Sequence, residues 1–134
     1  MIMGLARDTD TGNGTNFMFG QFNGDSSAAY VQEKFTAVSN VLTGAYLSGE
    51  IGTLLGFSAN GDTVPATKAA AFFAIIPHVH SAFQKTSILL AGRINYCVYC
   101  TSTWNNNENI EKITFSDTVG NILAGSVLSV YGLR

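Results

Sequence analysis

Two histidines placed two positions apart are the residues of this chain most able to bind a metal ion. His78 and His80 flank Val79, so on an extended backbone both imidazoles project from the same side. A pair of imidazoles on one face is half of a metal site. Glu108 or Asp117 would have to be brought there by the fold to complete it. We expect surface histidines at a strand end and no bound metal; the alternative is an ion held between subunits on a symmetry axis.

A second candidate ion site is the acidic segment 7–16, RDTDTGNGTN. Asp8 and Asp10 are spaced as in a calcium-binding loop, and two glycines follow them at the same spacing. Such a loop closes with a glutamate at its twelfth position, where this chain has Phe19. We interpret the segment as a solvated hairpin loop, with a bound cation as the alternative.

The two cysteines form the sequence C-V-Y-C at Cys97 and Cys100. In redox enzymes this spacing lies at a helix N-terminus. Here the surrounding run is rich in aromatic and β-branched residues, which favours a strand. Positions i and i+3 of a strand point to opposite faces, so the thiols neither pair nor readily share one metal. We expect buried, reduced, structural cysteines rather than a redox or zinc site.

No frame for catalysis is evident in the sequence. The serines lie outside any nucleophile elbow, and the glycines occur singly between strands rather than before a helix, where they could bind phosphate. The acid pairs, Asp8 with Asp10 and Glu108 with Glu111, lie in loops or across strand faces. We expect a protein that is not an enzyme and has no cofactor. The alternative is a small metal protein built around His78 and His80.

Composition sets the broad class of the chain. Its 134 residues predict one domain over 1–134, and charged residues make up only 12% against 46% hydrophobic. The net charge is −2 and the seven Lys and Arg residues are scattered, so we expect no nucleic-acid partner. The longest apolar run, 69–77, is far below the roughly 20 residues of a membrane-spanning helix. Residues 1–6 do not resemble a signal peptide, so we expect assembly in a cytoplasm and no membrane partner.

The elements that would position these residues are short strands separated by turns. Period-two alternation, Asn-Gly turns and isolated glycines recur along the chain, and no segment keeps a 3.6-residue period. Two segments stay open: 30–35 could be a helical turn and 70–76 a short buried helix. About eight strands at this spacing predict an all-β antiparallel β-sandwich. The predicted strands are 1–7, 17–22, 30–35, 45–47, 53–57, 70–76, 87–99 with a bend at Gly92, 110–115 and 127–131. We expect the last two to form a closing hairpin.

Two motifs carry a resemblance to a known family. The first is F-N-G-D followed by a tyrosine, at 22–25 and Tyr30. The second, I-x-x-I-T-F … G-N-x-x-A-G-S-x-x-S-x-Y-G, runs from 110 to 132. A K-T step at Lys85 and a tryptophan at Trp104 are further matches. Together they resemble the jelly-roll-like β-sandwich domain of structural proteins of tailed bacteriophages. The residues of the second motif are Ile110, Ile113, Thr114, Phe115, Gly120, Asn121, Ala124, Gly125, Ser126, Ser129, Tyr131 and Gly132.

The resemblance implies a non-enzymatic virion protein assembled in the host cytoplasm. It implies a capsid cement or decoration subunit that stabilises the shell by binding between major capsid proteins, with self-association as a homotrimer. The alternatives are a tail or fibre component and a carbohydrate-binding receptor-recognition sandwich. The family usually has another strand upstream of 1–7, so we expect either a start further upstream or a different segment in that strand's place. An open edge there would be a site for a neighbouring subunit to pair. The middle of the chain, 36–76, departs from the family pattern, so no role carries over there. The aromatic residues available for sugar stacking are Trp104, Tyr30, Tyr46, Tyr96 and Tyr99.

Overall fold

The computed structural model describes residues 1–8, 15–60, 70–93, 96–117, 122 and 124–132. Within these ranges the chain forms strands and no helix. The two open segments are therefore settled: 30–35 and 70–76 both lie in strands. The strands are β1 (Ile2–Asp8), β2 (Thr15–Phe22), β3 (Tyr30–Val38), β4 (Val41–Glu50), β5 (Thr53–Asn60), β6 (Ala70–Ile75), β7 (Lys85–Arg93), β8 (Tyr96–Trp104), β9 (Ile113–Asp117) and β10 (Val127–Val130).

The strands form two layers of unequal width. A seven-stranded sheet has the order β4-β3-β8-β7-β6-β1-β10, and a three-stranded sheet has the order β5-β2-β9. All pairs within the two sheets are antiparallel. The layers join where the end of β1 pairs in parallel with the end of β5. The predicted all-β antiparallel β-sandwich is confirmed, with ten strands in place of about eight.

Two predicted elements have different boundaries in the structure. The segment 87–99 is not one bent strand, because it contributes to two strands, β7 and β8, that pair with each other antiparallel. The C-terminal segment 110–131 is not a hairpin: β9 pairs with β2 in the small sheet, and β10 pairs with β1 in the large one. Sequence neighbours are usually sheet neighbours, but a closing sandwich can send consecutive strands to opposite layers.

The core lies between the two sheets and follows the alternation of each strand. Buried and more exposed positions alternate along β6, β7 and β8, so one face of the large sheet packs inward. At one end of the core, three aromatic side chains are completely buried: Phe22, Tyr30 and Trp104. Burying a side chain of this size contributes about 1.5–3 kcal/mol relative to leaving it exposed.

The β3–β4 hairpin has a tight two-residue turn. Ser39 and Asn40 both have positive φ, 46° and 72°, as a type I′ turn requires. Gly49, with φ of 73°, lies opposite the register shift between Tyr30 and Val31 and bulges the end of β4. β4 is much longer than the short strand predicted at 45–47.

Of the two expectations for the place beside residues 1–7, the structure shows the one in which a different segment fills it. β1 pairs with β6 on one side and with β10 on the other, so the C-terminal strand occupies the place assigned to an upstream neighbour. Within the described residues the sheet edges are β4 and β10 in the large sheet, and β9 in the small one. No helix in these ranges has the length and apolarity needed to cross a bilayer.

Candidate functional site

The F-N-G-D motif lies beside the buried aromatic cluster. The ring centroids of Phe22 and Trp104 are 5.6 Å apart with an interplanar angle of 71°, an edge-to-face arrangement. Tyr30 stacks on Trp104 at 6.3 Å, and its hydroxyl accepts the backbone N–H of Phe22 at 2.8 Å. Burial raises the pKa of Tyr30 to about 12, so the hydroxyl stays neutral. The motif tyrosine therefore satisfies a buried backbone donor.

The motif aspartate ties the β2–β3 loop to the end of β8. Asp25 Oδ2 accepts the indole N–H of Trp104 at 2.6 Å. Its other oxygen accepts the backbone N–H of Ser27 at 2.9 Å and the Ser27 hydroxyl. These bonds favour the ionised form, those from Ser27 most and that from Trp104 next, and they lower the pKa of Asp25 below its usual 3.8. The partner of the Trp104 indole N–H is thus an anion.

The motif asparagine holds the segment that leads into β9. The side chain of Asn23 donates to the carbonyl of Asn109 at 2.8 Å. Its Oδ1 accepts the backbone N–H groups of Glu111 and Lys112 at 2.9 and 3.2 Å. Asn23 has φ of 54° in the turn, a conformation that asparagine tolerates better than most residues. The motif residues therefore form one connected clamp between three segments of the chain.

We expect the clamp to lose strength in acid. Because the folded-state pKa of Asp25 is depressed, its contribution to stability is present above pH 3.8 and is lost as the pH falls through the folded-state value. Asp25→Asn should therefore flatten the decline in the free energy of unfolding between neutral pH and pH about 2. Urea titrations across this range measure the effect. Glu108→Gln, which removes an exposed carboxylate from loop 105–109, should leave the decline unchanged; equal slopes in wild type and Asp25→Asn would contradict the assignment.

The lysine of the K-T step is buried next to this cluster, which the sequence did not predict. Lys85 is completely buried and is the cross-strand partner of Trp104. Its ammonium donates to the carbonyls of Ser81 and Phe83, both at 2.6 Å. The lysine of the K-T step therefore closes the loop between β6 and β7. In the sequence, only the K-T step of the resemblance pointed to Lys85. Its burial was not expected, because lysine is rarely buried.

The histidines are not arranged as the sequence suggested. His78 has φ of 56°, so the backbone between His78 and His80 is not extended. The nearest acid is Glu111, whose Oε1 is 3.9 Å from Nδ1 of His80, and both side chains are well exposed. Glu108 and Asp117 are not brought into a cluster with them. Across the described part of the chain, no group of three His, Cys, Asp or Glu side chains is placed to hold a metal ion.

The cysteines occupy opposite faces of β8, as their spacing predicts. Cys100 is buried, and burial raises the pKa of its thiol. Cys97 is exposed on the outer face of the large sheet, so the prediction that both thiols are buried is wrong for this residue. Both thiols are free. The acidic loop that includes Asp10 lies outside the described residues.

The aromatic side chains considered for sugar stacking are dispersed. Trp104 and Tyr30 are completely buried and unavailable to a ligand. Tyr46 is exposed on the outermost strand, whereas Tyr99 lies across the large sheet opposite Phe35. A carbohydrate platform built on the single tryptophan is therefore not present.

The surface most suited to recognition is the edge strand β4. Nearly every side chain of its ten residues is exposed on both faces, because the small sheet does not extend beneath it. Val41 and Leu42 are 63% and 71% exposed, and Tyr46 is 68% exposed. Its sequence, VLTGAYLSGE, has one charged residue, the terminal Glu50, and no proline. The sequence predicted only 45–47 as a strand here, because the glycines on either side, Gly44 and Gly49, were taken as breaks.

Edge strands of this length usually carry lysine, proline or a strong bulge that prevents pairing with another chain. β4 has its bulge only at the far end, at Gly49. A row of backbone donors and acceptors along the rest of the strand is available to an added strand.

No family model, curated protein or solved structure matches this chain significantly.

Proposed function

We propose that this chain is a non-enzymatic structural protein of a bacteriophage virion, a decoration subunit that binds between major capsid proteins. The observation that carries the proposal is the long edge strand β4, which has no proline and a single charge, at its last residue. Such an edge binds by adding a strand from a neighbour, so main-chain hydrogen bonds supply affinity and exposed side chains supply specificity. Binding at more than one site on a shell then stabilises it through avidity.

The clamp residues support a structural rather than a catalytic role. Asp25, Asn23 and Lys85 each make at least two side-chain hydrogen bonds, and every partner in these bonds belongs to the protein itself. Their bonds hold loops against the end of the core where the aromatic cluster lies. The motifs that resemble those of the phage domain therefore fasten the loops to the core, and a well-fastened body would hold an edge strand in a fixed orientation for assembly.

The tail or fibre alternative uses the same edge and differs only in the partner. The carbohydrate alternative is weaker, because the side chain best suited to stack on a sugar, Trp104, is buried. The favoured partner of β4 is therefore a protein strand.

Charge placed on β4 should weaken binding to the shell. Thr43→Lys with Tyr46→Lys puts a lysine on each face of the edge, where the exposed positions tolerate it and the lysines oppose pairing with an incoming strand. We expect the affinity for shells assembled from the major capsid protein of the same phage to fall roughly tenfold or more, about 1.4 kcal/mol per tenfold. Co-sedimentation measures it.

The matched control is Asn105→Lys with Asn107→Lys, which makes the same charge change in an exposed loop. This control should bind as wild type does. Circular dichroism should show that both double variants are folded. Failure of the wild-type protein to bind shells, or equal binding by the two double variants, would contradict the proposal.

A further inference from the structure

The outer face of the seven-stranded sheet carries two adjacent rows of side chains that differ in size. The ridge consists of large residues in register across five strands, ending in a serine on β10. The trough is the next row on the same face, two residues further along each strand. Its side chains are small on four strands and large on the last two, β1 and β10. The ridge is Phe35, Tyr99, Leu90, Phe73, Met3 and Ser129. The trough is Ala37, Cys97, Gly92, Ala71, Leu5 and Val127.

Both rows point away from the small sheet. Their strand neighbours, such as Leu89 and Val98, are buried in the core, whereas Leu90 is 58% exposed and Tyr99 43%. Neither row contains a charged residue. An apolar surface that crosses six strands is larger than the scattered hydrophobic residues that soluble proteins normally expose.

The trough is a real depression in the surface. A groove of about 500 Å³ runs beside Leu90 and Phe73 and over Gly92 and Ala71. A second depression of about 350 Å³ continues over Leu5. A third, of about 280 Å³, lies at the Cys97 end of the row.

We propose that a second copy of this chain covers this face, related by a two-fold axis that runs along the rows, midway between ridge and trough. That rotation keeps each strand opposite its own counterpart and places each ridge over the partner's trough. On every strand, the ridge residue of one copy then faces the trough residue of the other. Leu90 faces Gly92, Phe73 faces Ala71, and Ser129 faces Val127.

The sizes of the facing side chains favour a second copy of this chain as the partner of this face. A large residue opposes a small one on five of the six strands, and the order reverses on β10, where the ridge is small and the trough is large. On β1 alone, the ridge residue Met3 and the trough residue Leu5 are both large. A two-fold axis along the strands would instead place ridge on ridge and leave the trough empty. Matching within one surface is what an isologous interface requires.

The area is sufficient for a stable pair. Six strands about 4.8 Å apart and about seven residues long, at about 3.3 Å per residue, define a plane of roughly 550 Å² per copy. Two copies therefore bury about 1,100 Å², above the roughly 1,000 Å² that marks a specific interface. Aligned sheets packed in this way resemble the interior of a β-sandwich.

This pairing goes beyond the proposed binding to a shell and does not depend on it. The pair uses the outer face, and the shell uses the edge β4, so either interaction can fail alone. Two-fold pairing also differs from the homotrimer that the resemblance implies. The two symmetries are compatible only in an assembly that contains both, such as one of six copies.

Analytical ultracentrifugation of the full chain at micromolar concentration tests the pairing. We expect a dimer, or a multiple of dimers, for the wild-type protein. Leu90→Asp and Ala71→Glu each put a carboxylate in the middle of the interface, and each should lower the self-association affinity roughly tenfold or more. Ile51→Asp changes an exposed residue outside the two rows and should leave association unchanged.

Cys97 provides an independent readout, because it lies in the trough and Cys100 is buried as an internal control. Pairing should slow alkylation of Cys97 several-fold relative to Leu90→Asp. The two Cys97 Cα atoms should lie about 12 Å apart, given sheets about 10 Å apart and rows about 6.6 Å apart, so a bismaleimide of that span should cross-link them. A monomeric wild-type protein, or an oligomer in which Leu90→Asp and Ala71→Glu change neither association nor alkylation, would overturn the proposal.

Discussion

Replacing Trp104 with alanine should lower the free energy of unfolding by about 3–5 kcal/mol. The side chain is completely buried, and its ring contacts both Phe22 and Tyr30. Its removal leaves a cavity at the end of the core and removes the hydrogen bond to Asp25. Urea denaturation followed by far-UV circular dichroism measures the loss, since Trp104 is the only tryptophan and its fluorescence is lost with it.

Trp104→Phe separates the two contributions. It keeps an aromatic ring in the cluster but has no indole N–H for Asp25, so its cost should be about 1.5–3 kcal/mol, the usual range for a hydrogen bond to a charged group. Tyr46→Ala removes an aromatic ring from the exposed edge and should change stability by less than about 0.5 kcal/mol. If Trp104→Ala costs no more than Tyr46→Ala, the aromatic cluster is not what holds this end of the sandwich together.

Replacing Lys85 with methionine should destabilise the protein by about 2–4 kcal/mol. Methionine fills nearly the same volume but has no donor, so the carbonyls of Ser81 and Phe83 lose their partner. Removing the buried cation also relieves its desolvation, which keeps the net loss below the sum of two charged hydrogen bonds. The amides of the loop between β6 and β7 should exchange with solvent faster in this variant.

The comparison variant is Lys112→Met, which makes the same substitution at an exposed position. It should leave the free energy of unfolding within about 0.5 kcal/mol of wild type. Thermal or urea unfolding of the two variants side by side gives the result. Equal effects, or a Lys85→Met protein as stable as wild type, would show that the ammonium is not required to close the loop.

The fold class followed from the sequence because the strands alternate with period two and are separated by turn residues. Which strands pair with each other could not be predicted from the sequence in the same way. The segments that became β9 and β10 are adjacent in the chain and were expected to pair, yet each forms part of a different sheet. Local pattern says which residues share a face, but the layer that a strand joins is decided by packing across the whole core.

The site could be predicted only in part, for similar reasons. The F-N-G-D motif and Trp104 were identified, and they meet in space through Asp25. Lys85 was noted for its position in a motif, but its burial depends on carbonyls supplied by a loop that turns back over it. The apolar run of β7 has large side chains on both faces of the strand: Leu89 is buried in the core, whereas Leu90 is 58% exposed on the outer face of the large sheet.

The edge β4 and the ridge and trough rows give a physical reason for the small fraction of charged residues in the chain. A solvated monomer keeps charge on its strand edges and outer faces to remain soluble. This chain has a single charge on β4 and none in the ridge and trough rows. Uncharged surfaces of this extent suit contacts between proteins, which is consistent with a role in assembly.

Electron cryomicroscopy of the intact virion, compared with particles assembled without this chain, tests the proposed decoration role most directly. The difference map should show a two-layered β-sandwich on the outer surface of the shell, with β4 against a strand of the major capsid protein. Density on the tail alone, or particles that contain no copies of the chain by mass spectrometry, would contradict it.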